Sequence, residues 1–385
     1  MKAIVGGTIL TEQAALTGHA LLFDETIHAI VPEKQATGCD VIDAGGMVVA
    51  PGLIDLHIHG YLGEDASDAS EKGLLRMAKG LLENGVTSFL PTTMTVSRQE
   101  IEAAFNLIRK LKPVSRSAEF IGSEILGCHA EGPFVNPERK GAQSAEHILA
   151  PEADLMLKHQ DIIKIITMAP EMPGGIAFIR QIRRESDMVV SLGHTSATYD
   201  EAMEAIHAGA SHITHTFNAM TGLTHRQPGV VGAALCAPVV CELIADTFHI
   251  HPALFSLLHT VKKERLVLVT DCTRAGGLKD GEYTLGGQPI FVKGIECRLA
   301  DGTIAGSVLR LNNAVKNFRD HTGVSLREAV NAASLHAAEA IGISRIKGSL
   351  AAGKDADIIL MDHDCAVHAT FVRGTQKYKK GASAA

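Results

Sequence analysis

Residues 1–52 carry short apolar runs broken by turn residues: AIVGGTIL, ALLFDETIHAIVP and VIDAGGMVVAPG. Runs of this length between Gly, Pro and Asp positions predict the strands of a small antiparallel sheet. ADIILMD and AVHATFVRG repeat the style near the carboxyl end. Neither end supplies a stable sheet alone, so the two are expected to pair. Between them the rhythm changes. Eight apolar runs end in polar or ionisable residues: LIDLHIHG (53–60), VTSFLPTT (86–93), EILGCHAEGP (124–133), IIKIITMAPE (162–171), MVVSLGHT (188–195), SHITHTFNA (211–219), CELIADTFH (241–249) and RLVLVTDC (265–272). Helix-like stretches such as SEKGLLRMAKGLLENG (70–85) and SRQEIEAAFNLIRKL (97–111) separate most of them.

Buried parallel strands alternating with helices predict an α/β fold, and eight of them predict a closed (β/α)8 TIM-like barrel. An open doubly wound sheet is the competing architecture, but no glycine-rich phosphate fingerprint follows the first run. The expected organisation is a barrel over residues 52–345 and a small β-sandwich domain built from 1–51 and 346–385. Within the barrel, residues 282–306 are expected to form a β-hairpin excursion. Residues 325–342 read as a final helix with Ser325 at its start and Gly342 at its end. The closing KKGASAA is expected to fray.

A chain of 385 residues can bury a large core. Its net charge of -7 argues against nucleic acid as a partner, so an anionic substrate needs a local basic group. The absence of tryptophan weakens any base-stacking role. The amino terminus is not a convincing signal peptide, and no run approaches the roughly 20 apolar residues of a membrane helix, so no membrane partner is expected. Seven scattered cysteines without a C-x-x-C pair read as reduced thiols in a cytoplasmic protein.

The chemistry is sought where the runs stop, because barrel active sites lie at the carboxyl ends of the strands. The first run stops at His57-Ile58-His59; residues two apart on a strand share a face and can hold one ion together. The third stops at Glu131, the fifth at His194, the sixth at His215 and the eighth at Asp271. A lone histidine at such a place is more often structural than a ligand. Four histidines and two carboxylates at one rim form a constellation suited to zinc, iron, manganese or cobalt. A divalent metal cofactor with hydrolytic chemistry is expected, with Glu131 as a ligand and Asp271 as general base and then acid. The bland alternative for Asp271 is a helix cap.

The same residues, with PGLIDLHIHG, HAEGPF, NPERKGAQ, GHTSATYDEA, THTFNAM, RQPGVVGAAL, IADTFHIHP, LVTDCTRAGG and GSLAAGKDADI, resemble the amidohydrolase superfamily, and within it the N-acetylglucosamine-6-phosphate deacetylase family. These segments span residues 51 to 358. The resemblance implies that Glu131, His194 and His215 bind a principal metal, that His57 and His59 bind a second, and that Asp271 is the catalytic acid–base. For a sugar phosphate it points to Ala142, Gln143, Asn218, Ala219, Arg226 and His249, with Arg226 and His249 on the phosphate. Arg226 would reach the neighbouring site of a homodimer. The implied reaction is hydrolysis of N-acetylglucosamine 6-phosphate to glucosamine 6-phosphate and acetate, in amino-sugar catabolism and recycling.

Three positions depart from that family's pattern: Gln143 where some relatives carry histidine, Cys272 where alanine is usual, and Arg310 after AGSVL. Three competing readings remain. A cyclic amidase would use a carboxylated lysine, but the third run ends in Glu131 and Lys164 falls short of the rim. A non-catalytic scaffold would be expected to lose ligands, and all six are present. A deacetylase for an isomeric N-acetyl sugar phosphate is not separated by sequence.

Overall fold

The computed structural model describes residues 1–381. Residues 382–385, the end of the stretch expected to fray and of the expected small β-domain, lie outside the described residues.

The two chain ends do pair. Ile358–Met361 runs antiparallel to Val48–Pro51, with Ile358 opposite Pro51 and Met361 opposite Val48. Around that pair is a six-stranded sheet ordered Thr375–Lys379, Val367–Val372, Ile358–Met361, Val48–Pro51, Thr8–Leu10, Ala15–Leu16. A second sheet is ordered Ile27–Pro32, His19–Phe23, Lys2–Val5, Asp40–Asp43. Ile4, Leu21, Phe23, Val49, Ile358 and Phe371 fill one apolar core shared by the two sheets. Phe23 and Phe371 meet edge-to-face at 5.9 Å, a geometry worth about 0.5–1.5 kcal/mol beyond its buried area. The expectation of purely antiparallel sheets needs correction. Lys2–Val5 is parallel to Asp40–Asp43, and Thr8–Leu10 is parallel to Val48–Pro51. Both segments cross from one sheet to the other side by side, through Gly6-Gly7 and through 44–47, so their strands share a direction.

Val48–Pro51 leads directly into the barrel. Its strands are β1 (Leu53–Ile58), β2 (Val86–Thr93), β3 (Cys128–Glu131), β4 (Ile163–Met168), β5 (Val189–Leu192), β6 (His212–Ile213), β7 (Val240–Ile244) and β8 (Leu266–Val269). Each pairs in parallel with the next. The ring closes just beyond β8, where Cys272 bridges Ile58 and the Asp271 N–H donates to the His57 carbonyl at 2.8 Å. Strands covered on both faces explain the near-continuous Val/Ile/Leu runs, and closure rules out the open sheet.

The expected outer helices form where caps start them. Ser70 accepts the Gly73 N–H ahead of Glu71–Leu81, and Ser97 with Glu100 makes a capping box ahead of Arg98–Ser115. Two expectations are corrected. Residues 325–342 form two helices, Leu326–Ala332 and Leu335–Ala340. The break falls at Ser334, whose hydroxyl donates back to the Val330 carbonyl at 2.7 Å and leaves its backbone non-helical. The excursion is a three-stranded sheet, Gly281–Leu285, Gln288–Lys293 and Glu296–Leu299, because a second turn at Gly294 adds a strand to the hairpin.

Below the barrel, the Lys347 ammonium is 2% exposed and lies 2.7 Å from Asp357, 2.9 Å from Glu124 and 3.0 Å from Asp355. It ties the chain near β2 and β3 to the segment entering the six-stranded sheet. Burial alone would push this ammonium's pKa down; the three carboxylates outweigh it and raise it. No helix among the described residues is long and apolar enough to cross a membrane.

Candidate active site

Five barrel strands deliver the six expected side chains to one rim. His57 lies within β1 and His59 just past it; Glu131 ends β3. His194, His215 and Asp271 stand two residues beyond β5, β6 and β8, with φ of +48°, +30° and +50°. Left-handed backbone is uncommon outside glycine and is best tolerated by Asn, Asp and His, so these residue types suit the sharp turns that end the strands. Such conformations cluster at functional sites.

The side chains converge as two groups, His57 with His59 and Asp271, and Glu131 with His194 and His215; the ligand atoms within each lie within 4.8 Å of one another. Glu131 faces both: Oε1 is 3.1 Å from His215 Nε2 and 3.2 Å from His194 Nε2, while Oε2 is 3.3 Å from His59 Nε2. Asp271 Oδ1 is 3.1 Å from His59 Nε2.

Neighbours set the ring tautomers. His59 Nδ1 lies 3.2 Å from the Thr92 carbonyl and His194 Nδ1 lies 2.9 Å from the Arg139 carbonyl. A carbonyl only accepts, so each Nδ1 carries a hydrogen, and each Nε2, once its own proton is lost, presents a lone pair to the centre. His57 Nδ1 is likewise directed to a carboxylate, Glu242 Oε2, at 2.9 Å. Facing Nε2 atoms then lie 3.4 Å apart in His57–His59 and 3.1 Å apart in His194–His215. Nitrogens set this close together beside buried carboxylates need positive charge between them, from protons or from a metal ion. The donor set of imidazole nitrogens and carboxylate oxygens therefore fits a divalent metal.

In the absence of an ion the carboxylates favour protonated rings. Burial pushes His59 down, but Asp271 and Glu131 outweigh it and lift its pKa to about 10. His57 and His194 are raised against burial by the same kind of neighbour, Glu242, Glu131 and Asp271 for the first and Glu131 for the second. Burial pushes Glu131 up, yet His57 and His194 hold it well below the usual carboxylate range. Asp271 is lowered against burial by His57 and His59.

Above this rim opens a cavity of about 540 Å³ whose base includes His59, Glu131, His194, His215 and Asp271. Ala142, Gln143, Asn218, Ala219 and His249 line its walls, with Arg139 and Lys140. Gly141 holds φ +54° with its Cα facing the His194 ring, and an added Cβ would sit 3.5 Å from Cε1. His249 is set by Asp246: its Nδ1 lies 2.6 Å from Asp246 Oδ2, and its own N–H donates to Oδ1 at 2.8 Å. The three-stranded sheet reaches over the mouth, where Gln288 donates to the Ala142 carbonyl at 2.7 Å. Of the twelve expected site residues, ten line the cavity, and an eleventh, His57, is fully buried directly behind His59 and Glu131. The twelfth, Arg226, is exposed on the loop before Gly229–Cys236 and is not part of the wall.

Residues 48–377 match the model of the amidohydrolase family. The chain belongs to that family. Among its relatives, an N-acetylglucosamine-6-phosphate deacetylase of Bacillus subtilis is 41% identical over 375 residues, covering 95% of this chain and 94% of that protein. An N-acetylgalactosamine-6-phosphate deacetylase of Escherichia coli O157:H7 is 37% identical, covering 95% of this chain and 96% of that one. A crystal structure of a point mutant of the N-acetyl-D-glucosamine-6-phosphate deacetylase of Mycobacterium smegmatis, in complex with N-acetyl-D-glucosamine-6-phosphate, superposes with a TM-score of 0.90 at 30% identity. That match covers 98% of this chain and 99% of the other.

In this amidohydrolase the three departures find separate places. Gln143, 1% exposed, accepts the Thr95 N–H at 2.6 Å and donates to Glu131 Oε2, so its amide braces a rim carboxylate. Cys272 is fully buried in the closure between Ile58 and Ser307, and burial pushes its thiol far up, away from reactivity. Arg310 lies outside the cavity, 3.7 Å from Glu83. Sequence reasoning passed over Asp246, Glu242 and His129. Asp246 carries a usable signal, an Asp three residues before the cavity-lining His249. His129 sits two residues before Glu131 and so on the same strand face, but its two nitrogens are spent on the Leu56 carbonyl (3.0 Å) and the Thr167 hydroxyl (2.7 Å). Glu242 lies inside the apolar run CELIAD, where only its being an acid in a buried strand marks it.

Proposed function

We propose that this amidohydrolase removes the acetyl group of N-acetylglucosamine 6-phosphate, giving glucosamine 6-phosphate and acetate in amino-sugar catabolism and recycling. The observation that carries the reading is the convergence of four imidazoles and two carboxylates beneath a cavity walled by Gln143, Asn218 and His249. The relatives named for this reaction support it over most of the chain.

Glu131, His194 and His215 would hold the principal ion and His57 with His59 a second, so one or two ions of zinc, iron, manganese or cobalt serve each chain. When bound, a divalent ion supplies Lewis-acid chemistry, acidifying water and polarising a carbonyl. Asp271 takes the proton of the attacking water at a carboxylate oxygen. As the water oxygen joins the acetyl carbon and the C–N bond breaks, Asp271 returns that proton to the departing nitrogen. Ala142, Gln143, Asn218 and Ala219 hold the sugar and its acetamide. His249, oriented by Asp246, meets the phosphate; Arg226 of a second copy completes that charge in a homodimer, since within one chain it stands outside the cavity wall. The reading assigns this chemistry to residues 52–345, with 1–51 and the segment from 346 as a separate β-domain. Seven free thiols accord with a cytoplasmic setting.

The E. coli relative gives a second reading, an N-acetylgalactosamine 6-phosphate substrate. The test is acetate release from the two phosphorylated isomers and from unphosphorylated N-acetylglucosamine, each at equal concentration. The proposal expects the gluco isomer fastest and the unphosphorylated sugar slowest. A faster galacto isomer would transfer the assignment to the second reading; equal rates with and without phosphate would remove the phosphate pocket.

A further inference from the structure

Glu242 is fully buried in the middle of β7, beneath the rim rather than on it. Its Oε2 accepts two hydrogen bonds at once, from His57 Nδ1 at 2.9 Å and from the His215 backbone N–H at 2.9 Å. Its own carbonyl accepts the Thr216 N–H at 3.0 Å. Side chain and main chain of one residue therefore grip the turn leaving β6, where His215 holds φ +30°. The ring it orients belongs to the His57–His59–Asp271 group, and the turn it grips carries a member of the Glu131–His194–His215 group.

Among the rim histidines, His57 has a distinct partner. His59 and His194 direct Nδ1 to neutral backbone carbonyls, whereas His57 directs it to a carboxylate. A carboxylate behind an imidazole fixes its orientation and raises its basicity at the other nitrogen. We infer that Glu242 is a positioning residue common to both halves of the rim: it aims His57 Nε2 into one metal group and holds the backbone that presents His215 to the other. The inference rests on the proposed metal site and adds a residue that touches neither metal position nor substrate. Glu242 Oε1 has no hydrogen-bond partner; His212 Nε2 stands 3.9 Å from it and a His129 nitrogen lies within 4.8 Å of the carboxylate, so among the described residues the bonds to His57 and the His215 turn are the hydrogen bonds this side chain makes.

The test reads zinc affinity directly, with zinc alone as the probe and no substrate. Metal-free wild type, Glu242→Gln, Glu242→Asp and Thr214→Val are titrated with Zn²⁺ by calorimetry, and each metal-free protein is checked by thermal unfolding. Thr214 is the control for disturbing the barrel core, because its hydroxyl bonds only to Thr167 and Ser191 at 2.6 Å. Loss of an outer partner of a metal ligand weakens binding by about 10–100-fold. Glu242→Gln is expected to fall in that range, Glu242→Asp to lie between it and wild type, and Thr214→Val to bind as wild type does. In a His57→Ala background, Glu242→Gln should still weaken the remaining site through the His215 turn. If Glu242→Gln does not fold, Glu242→Asp carries the test, with tenfold weaker binding expected. Affinity of the Glu242 variants within threefold of wild type, or equal weakening by Thr214→Val, overturns the inference. No further loss in the His57→Ala background overturns the link to the second half. A wild type that binds zinc while failing on every acetamide sugar phosphate sinks the proposed substrate and leaves the inference standing; one that binds no divalent ion sinks both.

Discussion

Replacing Asp271 by asparagine separates chemistry from architecture at this site. Asp271 holds φ +50°, and asparagine is among the few residues that accept this region readily. The backbone bonds on either side, from the Asp271 N–H to His57 and from the Ser307 N–H to the Asp271 carbonyl, are each 2.8 Å and do not involve the side chain. Fold and side-chain volume are therefore retained. What is lost is an oxygen that can take a proton, and one negative charge 3.1 Å from His59 Nε2. General acid–base catalysis contributes about 10²–10⁴-fold, or roughly 3–5.5 kcal/mol of barrier at 1.36 kcal/mol per decade. Asp271→Ala should lose at least as much rate and also about 1–2 kcal/mol of stability, because a Cβ without a polar head is disfavoured at this φ. The assay is kcat for acetate release at saturating N-acetylglucosamine 6-phosphate, with metal content and thermal midpoint measured on the same samples. The reasoning fails if Asp271→Asn keeps kcat within tenfold of wild type at equal metal content.

Arg226→Ala should raise KM for the phosphorylated sugar by about 10–100-fold, the worth of a hydrogen bond to a charged group, and leave KM for N-acetylglucosamine unchanged; equal changes would separate Arg226 from the phosphate. Metal-free protein should lose stability as pH rises from about 6.5 toward 10. A histidine whose folded pKa is raised, as that of His59 is to about 10, stabilises below its unfolded value and stops doing so above its folded one. Thermal midpoints across that window should fall without metal and hold with it; a flat metal-free profile contradicts the charge balance drawn for the rim. Lys347→Met should destabilise by about 3–5 kcal/mol, since it strands Glu124, Asp355 and Asp357. Denaturant unfolding with a loss below 1 kcal/mol would mean Arg116, 2.9 Å from Glu124, already balances them.

The barrel and its rim were legible because both rest on local patterns. Apolar runs mark strands covered on two faces, and the polar residue that ends a run marks the carboxyl rim. The six rim residues could be named for this reason, although His194, His215 and Asp271 stand past their strands in left-handed turns that composition does not signal. Glu242 was hidden because its meaning is entirely tertiary: its two partners are 185 and 27 residues away in sequence. The break at Ser334 was hidden because an alanine-rich stretch reads as continuous helix, and a serine turning its hydroxyl onto the previous turn leaves no periodic trace. The parallel pairings at the amino terminus were missed because short alternating runs do not reveal that both segments cross between sheets together. Arg226 marks another boundary: its place in the chain is plain, but within one chain it stands exposed and away from the cavity wall, and the role proposed for it needs a second copy.

The central claim is that the imidazole–carboxylate rim works by holding a divalent ion over which Asp271 moves a proton. The most direct measurement is acetate release from N-acetylglucosamine 6-phosphate by metal-free protein as Zn²⁺ is added in steps, with bound zinc counted at each step. The account predicts negligible release at zero zinc and a rise that follows occupancy of one or two ions per chain. Full activity in metal-free protein, or zinc that binds without restoring any release, would contradict it.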